Sequence, residues 1–130
     1  AKSVMVFLDA CFSGAERSTG NSTIMGKEGA RGAVIKAKEA APKGNMFVLT
    51  AASGNETALP YVEKNHGLFT YFLLKKIRDT KGNVTLKDLS DYVIQEVTHQ
   101  SNFVNQKPQT PTVVTSGSMK DQWKSKKLAR

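Results

Sequence analysis

Val4-Met5-Val6-Phe7-Leu8-Asp9-Ala10-Cys11-Phe12-Ser13-Gly14 decides the fold. Five consecutive apolar residues, three of them β-branched or aromatic, predict a strand over 3–9. An unbroken apolar run suits a strand buried on both faces, as in the centre of a parallel sheet. Asp9 ends the run, and the small, Gly-punctuated Ala-Cys-Phe-Ser-Gly reads as a loop at the strand's carboxyl end. Reacting groups in open α/β sheets gather at such ends. Cys11 therefore becomes a candidate nucleophile, since a reactive thiol must ionise and be reachable. Ala10, Ser13 and Gly14 leave room for a substrate backbone. The backbone N–H of Cys11 could also help hold the oxyanion of a tetrahedral intermediate.

Downstream, residues 15–44 form a polar and basic stretch, long for a connection in a compact domain, which implies function or mobility. A short helix within 27–41 is expected, weakened by Gly29 and Gly32. Met46 to Thr50 predicts a second apolar strand. Leu68, Phe69, Phe72, Leu73 and Ile77 recur at helical spacing and predict an amphipathic helix near 67–79. Thr85-Leu86-Lys87-Asp88 resembles a capping box opening a second helix, with Leu86, Leu89, Val93 and Val97 on one face. Thr112 to Thr115 predicts a last short strand between Pro111 and Ser116. The order β–loop–β–α–α–β fits an α/β domain with a largely parallel sheet. It supplies about three strands where sheets usually hold ~4–6. Upstream sequence is expected to supply the rest, and the absence of an initiator Met makes the chain read as a processed or excised piece.

Composition narrows the function classes. One domain is expected from 130 residues, 39% of them hydrophobic. No apolar run approaches the ~20 residues that span a bilayer, so no membrane partner is expected. The formal net charge is +8, and Lys120, Lys124, Lys126, Lys127 and Arg130 crowd the end of the chain. Residues 118–130 read as a basic tail, solvated and frayed in the plainer reading. No nucleic-acid partner is expected, because no aromatic residues interleave with these charges as a stacking platform requires. A single Cys excludes an internal disulfide, and with only two His it excludes a Cys-rich zinc site. No metal or other cofactor is expected.

The segment Val6 to Gly14 resembles the nucleophile segment of the caspase-like cysteine peptidases. The metacaspase-type and bacterial members carry Asp, any residue, Cys, any residue, Ser-Gly after an apolar strand. Phe47 to Ala58 resembles that family's next strand and specificity loop. His66-Gly67-Leu68-Phe69-Thr70-Tyr71-Phe72-Leu73-Leu74 resembles the start of its following helix, and Val84 to Val97 and Pro111 to Ser116 its last helix and strand. The resemblance implies a three-layer α/β/α sandwich with a mostly parallel sheet. Residues 1–117 would be the portion from the Cys strand onward. It implies a His–Cys dyad acting on peptide or protein substrates, with Cys11 catalytic and the His on a missing upstream segment. It places Asp9 in the primary specificity pocket, where a carboxylate selects Arg or Lys before the scissile bond. Ser53 and Glu56 are further substrate-binding candidates from the second loop. No arginine matches those with which true caspases select Asp. Calcium, used by some metacaspases, is not carried over, since no ligand cluster supports it. Arg17, Lys27, Arg31, Lys36, Lys38 and Lys43 become potential self-cleavage sites in the 15–44 loop.

Plainer readings stand beside these. Asp9 also reads as a strand-end carboxylate bonded to backbone, and Ser53 and Glu56 as ordinary loop residues. His66 reads as a turn or helix-entry residue and His99 as a surface residue, rather than as the dyad partner. Cys11 to Ser18 also resembles the phosphate-binding loop of tyrosine phosphatases. Glu16 would repel a phosphate there, and Ala10 stands where that family usually has His. An inactive caspase-like scaffold and a basic nucleic-acid module are the non-enzymatic alternatives.

Overall fold

The computed structural model describes residues 2–10, 42–54 and 56–129. The 15–44 loop and its proposed helix lie almost entirely outside the described residues, as does Cys11. Among the described residues, five strands and two α-helices follow one another: β1 (Val4–Leu8), β2 (Met46–Thr50), β3 (Pro60–Tyr61), β4 (His66–Gly67), α1 (Leu68–Thr80), α2 (Leu86–Val104) and β5 (Thr112–Thr115). The main sheet has the order β1-β2-β5, and β3-β4 form a small separate ribbon.

β1, β2, α1 and β5 lie within a residue or two of their sequence-based bounds, α2 runs on past Val97 to Val104, and the short helix expected within 27–41 lies outside the described residues. α2 begins as its capping residues dictate: the Asp88 N–H donates to Thr85 Oγ1 at 3.1 Å, satisfying one of the donors a helix start leaves unpaired. Leu86, Leu89, Val93 and Val97 are fully buried, which is what their shared face requires. Replacing Thr85 by Ala should cost about 1 kcal/mol, read as a lower urea midpoint at unchanged slope.

Alternation along the strands divides the sheet into two faces. Met5, Phe7, Phe47, Leu49 and Val113 join α1 and α2 in one core. Rows of the opposite face follow from the register: Val4 beside Met46, and Val6 beside Val48 beside Val114. None of these five belongs to that core cluster. The described elements thus provide the sheet and one helical layer of an α/β/α arrangement. β1 has only β2 as a partner among the described residues, so the strand expected to be central lies at an edge of the sheet they form.

β1 and β2 run parallel, but β5 runs antiparallel to β2, so this part of the sheet is mixed rather than mostly parallel. The cause is two successive helices. α1 starts at the carboxyl end of β1, where Thr70 meets Asp9. α2 carries the chain back, so that Gln109 beyond it reaches Ala51 at the carboxyl end of β2. A strand that starts there can only run the other way.

The basic tail is not frayed. Met119 is buried, the Trp123 ring lies 5.4 Å from Phe47, and the Leu128 N–H donates to Val84 O at 2.9 Å. The Leu86 N–H, an orphan donor of α2's first turn, donates to Lys126 O at 2.7 Å. Apolar residues spaced among the lysines fasten the segment while the charges stay in water.

Candidate active site

The carboxyl end of β1 meets two other chain passages. The Ala51 N–H donates to Leu8 O at 2.8 Å, joining the exits of β1 and β2. β5 enters at the same edge, with Thr112 opposite Thr50. Asp9 therefore shares one rim of the sheet with the loop after β2 and the segment before β5. Its carboxylate accepts a hydrogen bond from Thr70 Oγ1 at 2.5 Å. That is the short distance expected of a hydroxyl donating to an anion. Leu68 and Phe69, both buried, fix the first turn of α1 and with it Thr70.

Ser53 and Glu56 are brought together. The Glu56 N–H donates to Ser53 O at 3.0 Å, and the Ser53 N–H donates to Glu56 Oε2 at 3.2 Å. Gly54 between them has φ +55, a left-handed conformation that glycine adopts at little cost. The same carboxylate accepts from the Thr110 N–H at 2.6 Å and from Thr110 Oγ1 at 3.1 Å. Ser53 Oγ donates to Thr110 O at 2.6 Å and also meets Thr112 Oγ1. The two residues thus clasp the loop after β2 to the strand entry of β5. Beside the clasp lies an open cleft of about 500 Å³ lined by Ser53, Glu56, Thr57, Leu59, Lys107 and Pro108. A cleft of this size suits a side chain or short peptide segment. Glu56 can shape one wall of it, but three hydrogen bonds already hold its carboxylate.

Gln109 went unnoticed in the sequence, yet it pins this rim. Fully buried, it donates from Nε2 to Ala51 O at 2.9 Å and accepts at Oε1 from the Leu59 N–H at 2.9 Å. Its own N–H donates to Ser101 Oγ at 3.2 Å. This one residue thereby ties both ends of the loop after β2 to the end of α2. The usable signal was its place between Pro108 and Pro111, where a restricted backbone aims a side chain consistently.

The two histidines lean on aromatic rings. His66 lies in β4, its ring 6.5 Å from that of Tyr71. His99 is exposed on α2, 4.9 Å from Phe103. Among the described residues, no group of three His, Cys, Asp or Glu could hold a metal ion, and no helix is long and apolar enough to cross a membrane.

A mixed sheet with helices packed on it, and a polar rim at the carboxyl end of its parallel strands, define an α/β protein of partial caspase-like architecture. The chain belongs to the caspase-domain family, whose model matches residues 1–121. That family has the fold of a cysteine peptidase, a class of hydrolase. Searches of curated proteins and of solved structures gave no significant match.

Proposed function

We propose that this chain is the nucleophile-bearing part of a cysteine endopeptidase that cuts after Arg or Lys. The observation that carries the reading is the carboxylate of Asp9, held at the rim where three chain passages converge and two residues before Cys11. A fixed, partly desolvated carboxylate pairs with a guanidinium or ammonium far better than with a neutral or acidic side chain. Ser53 and Glu56 contribute the wall of the neighbouring cleft, which receives residues further from the scissile bond.

Cys11 as thiolate attacks the peptide carbonyl, forming a C–S bond and a tetrahedral oxyanion. The oxyanion collapses, the C–N bond breaks, and the amine leaves with a proton from an imidazolium. Water, deprotonated by the same imidazole, then hydrolyses the thioester and returns the thiol. His66 and His99 both rest against aromatic rings. We assign the imidazole to a segment preceding this chain. The apolar face bearing Val6, Val48 and Val114, together with the edge of β1 that has no partner strand among the described residues, gives such a segment a place to pack. This chain alone is accordingly expected to be inactive.

The test uses the full polypeptide and fluorogenic peptides ending in Arg, Lys, Asp or citrulline. Arg and Lys peptides should exceed the Asp peptide in kcat/KM by about 10³-fold or more. A preference for Asp would remove the pocket role of Asp9. Turnover of an aryl phosphate in place of peptides would favour the phosphate-loop reading.

A further inference from the structure

Asp9 and Thr70 stand 61 residues apart in the chain and meet through one hydrogen bond, Thr70 Oγ1 to Asp9 Oδ2 at 2.5 Å. Thr70 is the third residue of α1, in the turn where a helix carries partial positive charge. Gly67, at the cap, offers no side chain to that turn. A hydroxyl has one proton to donate, and here it goes to the carboxylate rather than back to the helix. Thr is β-branched and stiff at χ1. Its backbone is held at the helix start: Leu68 and Phe69 are buried, and the Leu68 N–H donates to Leu59 O at 2.9 Å. The donor is therefore built on a rigid element, while Asp9 sits where β1 gives way to loop.

We infer that Thr70 is a positioning residue for substrate selection, holding the Asp9 carboxylate in the orientation that receives a basic side chain. The inference rests on the reading of Asp9 as the pocket acid. Hydrogen bonds from a neutral donor leave the carboxylate its charge, so the pair remains an anionic receptor with a fixed rotamer. Because Leu59 closes the specificity loop and bonds to Leu68 beside Thr70, the receptor is also fixed relative to that loop.

The test compares Thr70→Val, Thr70→Ala and Thr70→Ser with Asp9→Asn in the full polypeptide, using paired Arg and citrulline peptides. Val keeps the shape and removes the donor; Ala cannot overpack the half-buried site; Ser restores the donor. Val and Ala should raise KM for the Arg peptide about tenfold with kcat within about twofold, while the citrulline peptide is unaffected. Ser should return KM to near the parent value. Equal losses on both peptides would reduce Thr70 to a structural role and overturn the inference. So would an Arg-to-citrulline ratio that collapses in Asp9→Asn but survives in both Val and Ala. A ratio that survives Asp9→Asn itself would instead overturn the pocket reading, and the inference with it.

Discussion

Replacing Cys11 by Ala should lower peptide hydrolysis by the full polypeptide by about 10⁵- to 10⁶-fold, down to the residue left by binding and oxyanion stabilisation alone. The sulfur forms the covalent bond, so no neighbouring group can substitute for it. Cys11→Ser should fare little better, because a hydroxyl is far less acidic than a thiol and the imidazole must remove its proton in the attack itself. Substrate binding should survive both changes. Thr70 holds the Asp9 carboxylate, and Ser53, Glu56 and Thr110 fasten the loop after β2, none of which either substitution alters. An Arg-ending peptide aldehyde separates the two effects, since it bonds covalently to the thiol in the parent and can only dock in Cys11→Ala. Its affinity should fall steeply in the variant, whereas a non-reactive Arg peptide amide should bind both alike. Cys11 is the one thiol in this chain, so mass spectrometry of iodoacetamide-treated protein reads its reactivity without ambiguity within these 130 residues. Hydrolysis that persists at the parent rate in Cys11→Ala would end the peptidase reading.

The sequence revealed what depends on neighbours along the chain. β1 and β2 follow from apolar runs, α1 from helical spacing, and α2 from Thr85 and Asp88 together with its buried stripe. The order of elements suggested a largely parallel sheet, whereas β5 enters antiparallel, because two helices in a row return the chain to the end it left. Contacts between distant segments were not readable. Thr70 sits in an apolar helical run and looks incidental until Asp9 is placed beside it. Glu56 looks like a loop charge until Thr110, 54 residues away, takes up its carboxylate. In the basic tail, lysines dominate composition, and composition carries no information about where Trp123 and Leu128 dock. The candidate residues were thus visible by type, whereas their holders were visible only in three dimensions.

Gln109 makes the strongest structural demand of any holder at the rim, and Gln109→Leu tests it. Leu has similar volume, so little cavity term arises. What is lost is polar: Ala51 O loses its donor and the Leu59 N–H loses its acceptor. Both partners belong to buried residues, and each stranded group costs about 1–3 kcal/mol. A loss of about 4 kcal/mol is expected, a large fraction of the stability of an ordinary domain. It should be independent of pH, because no ionisable group is introduced. Gln109→Glu behaves differently. Its carboxyl can still accept from Leu59, but ionised it would set a second oxygen against Ala51 O in a buried place. Protonated, it can donate as the amide does. The folded state therefore favours the neutral acid and raises its pKa above the ordinary Glu value of about 4.3. With more protons bound folded than unfolded, stability falls as pH rises above about 4.3 and continues to fall until the raised value is passed. Urea denaturation at pH 4 and pH 8 should show the Glu variant close to the parent at the lower pH, once the parent's own pH dependence is subtracted, and far below it at the higher. Equal losses at both pH values would mean that the amide serves only to fill space, and that the loop after β2 is held by the Ser53–Glu56–Thr110 clasp alone.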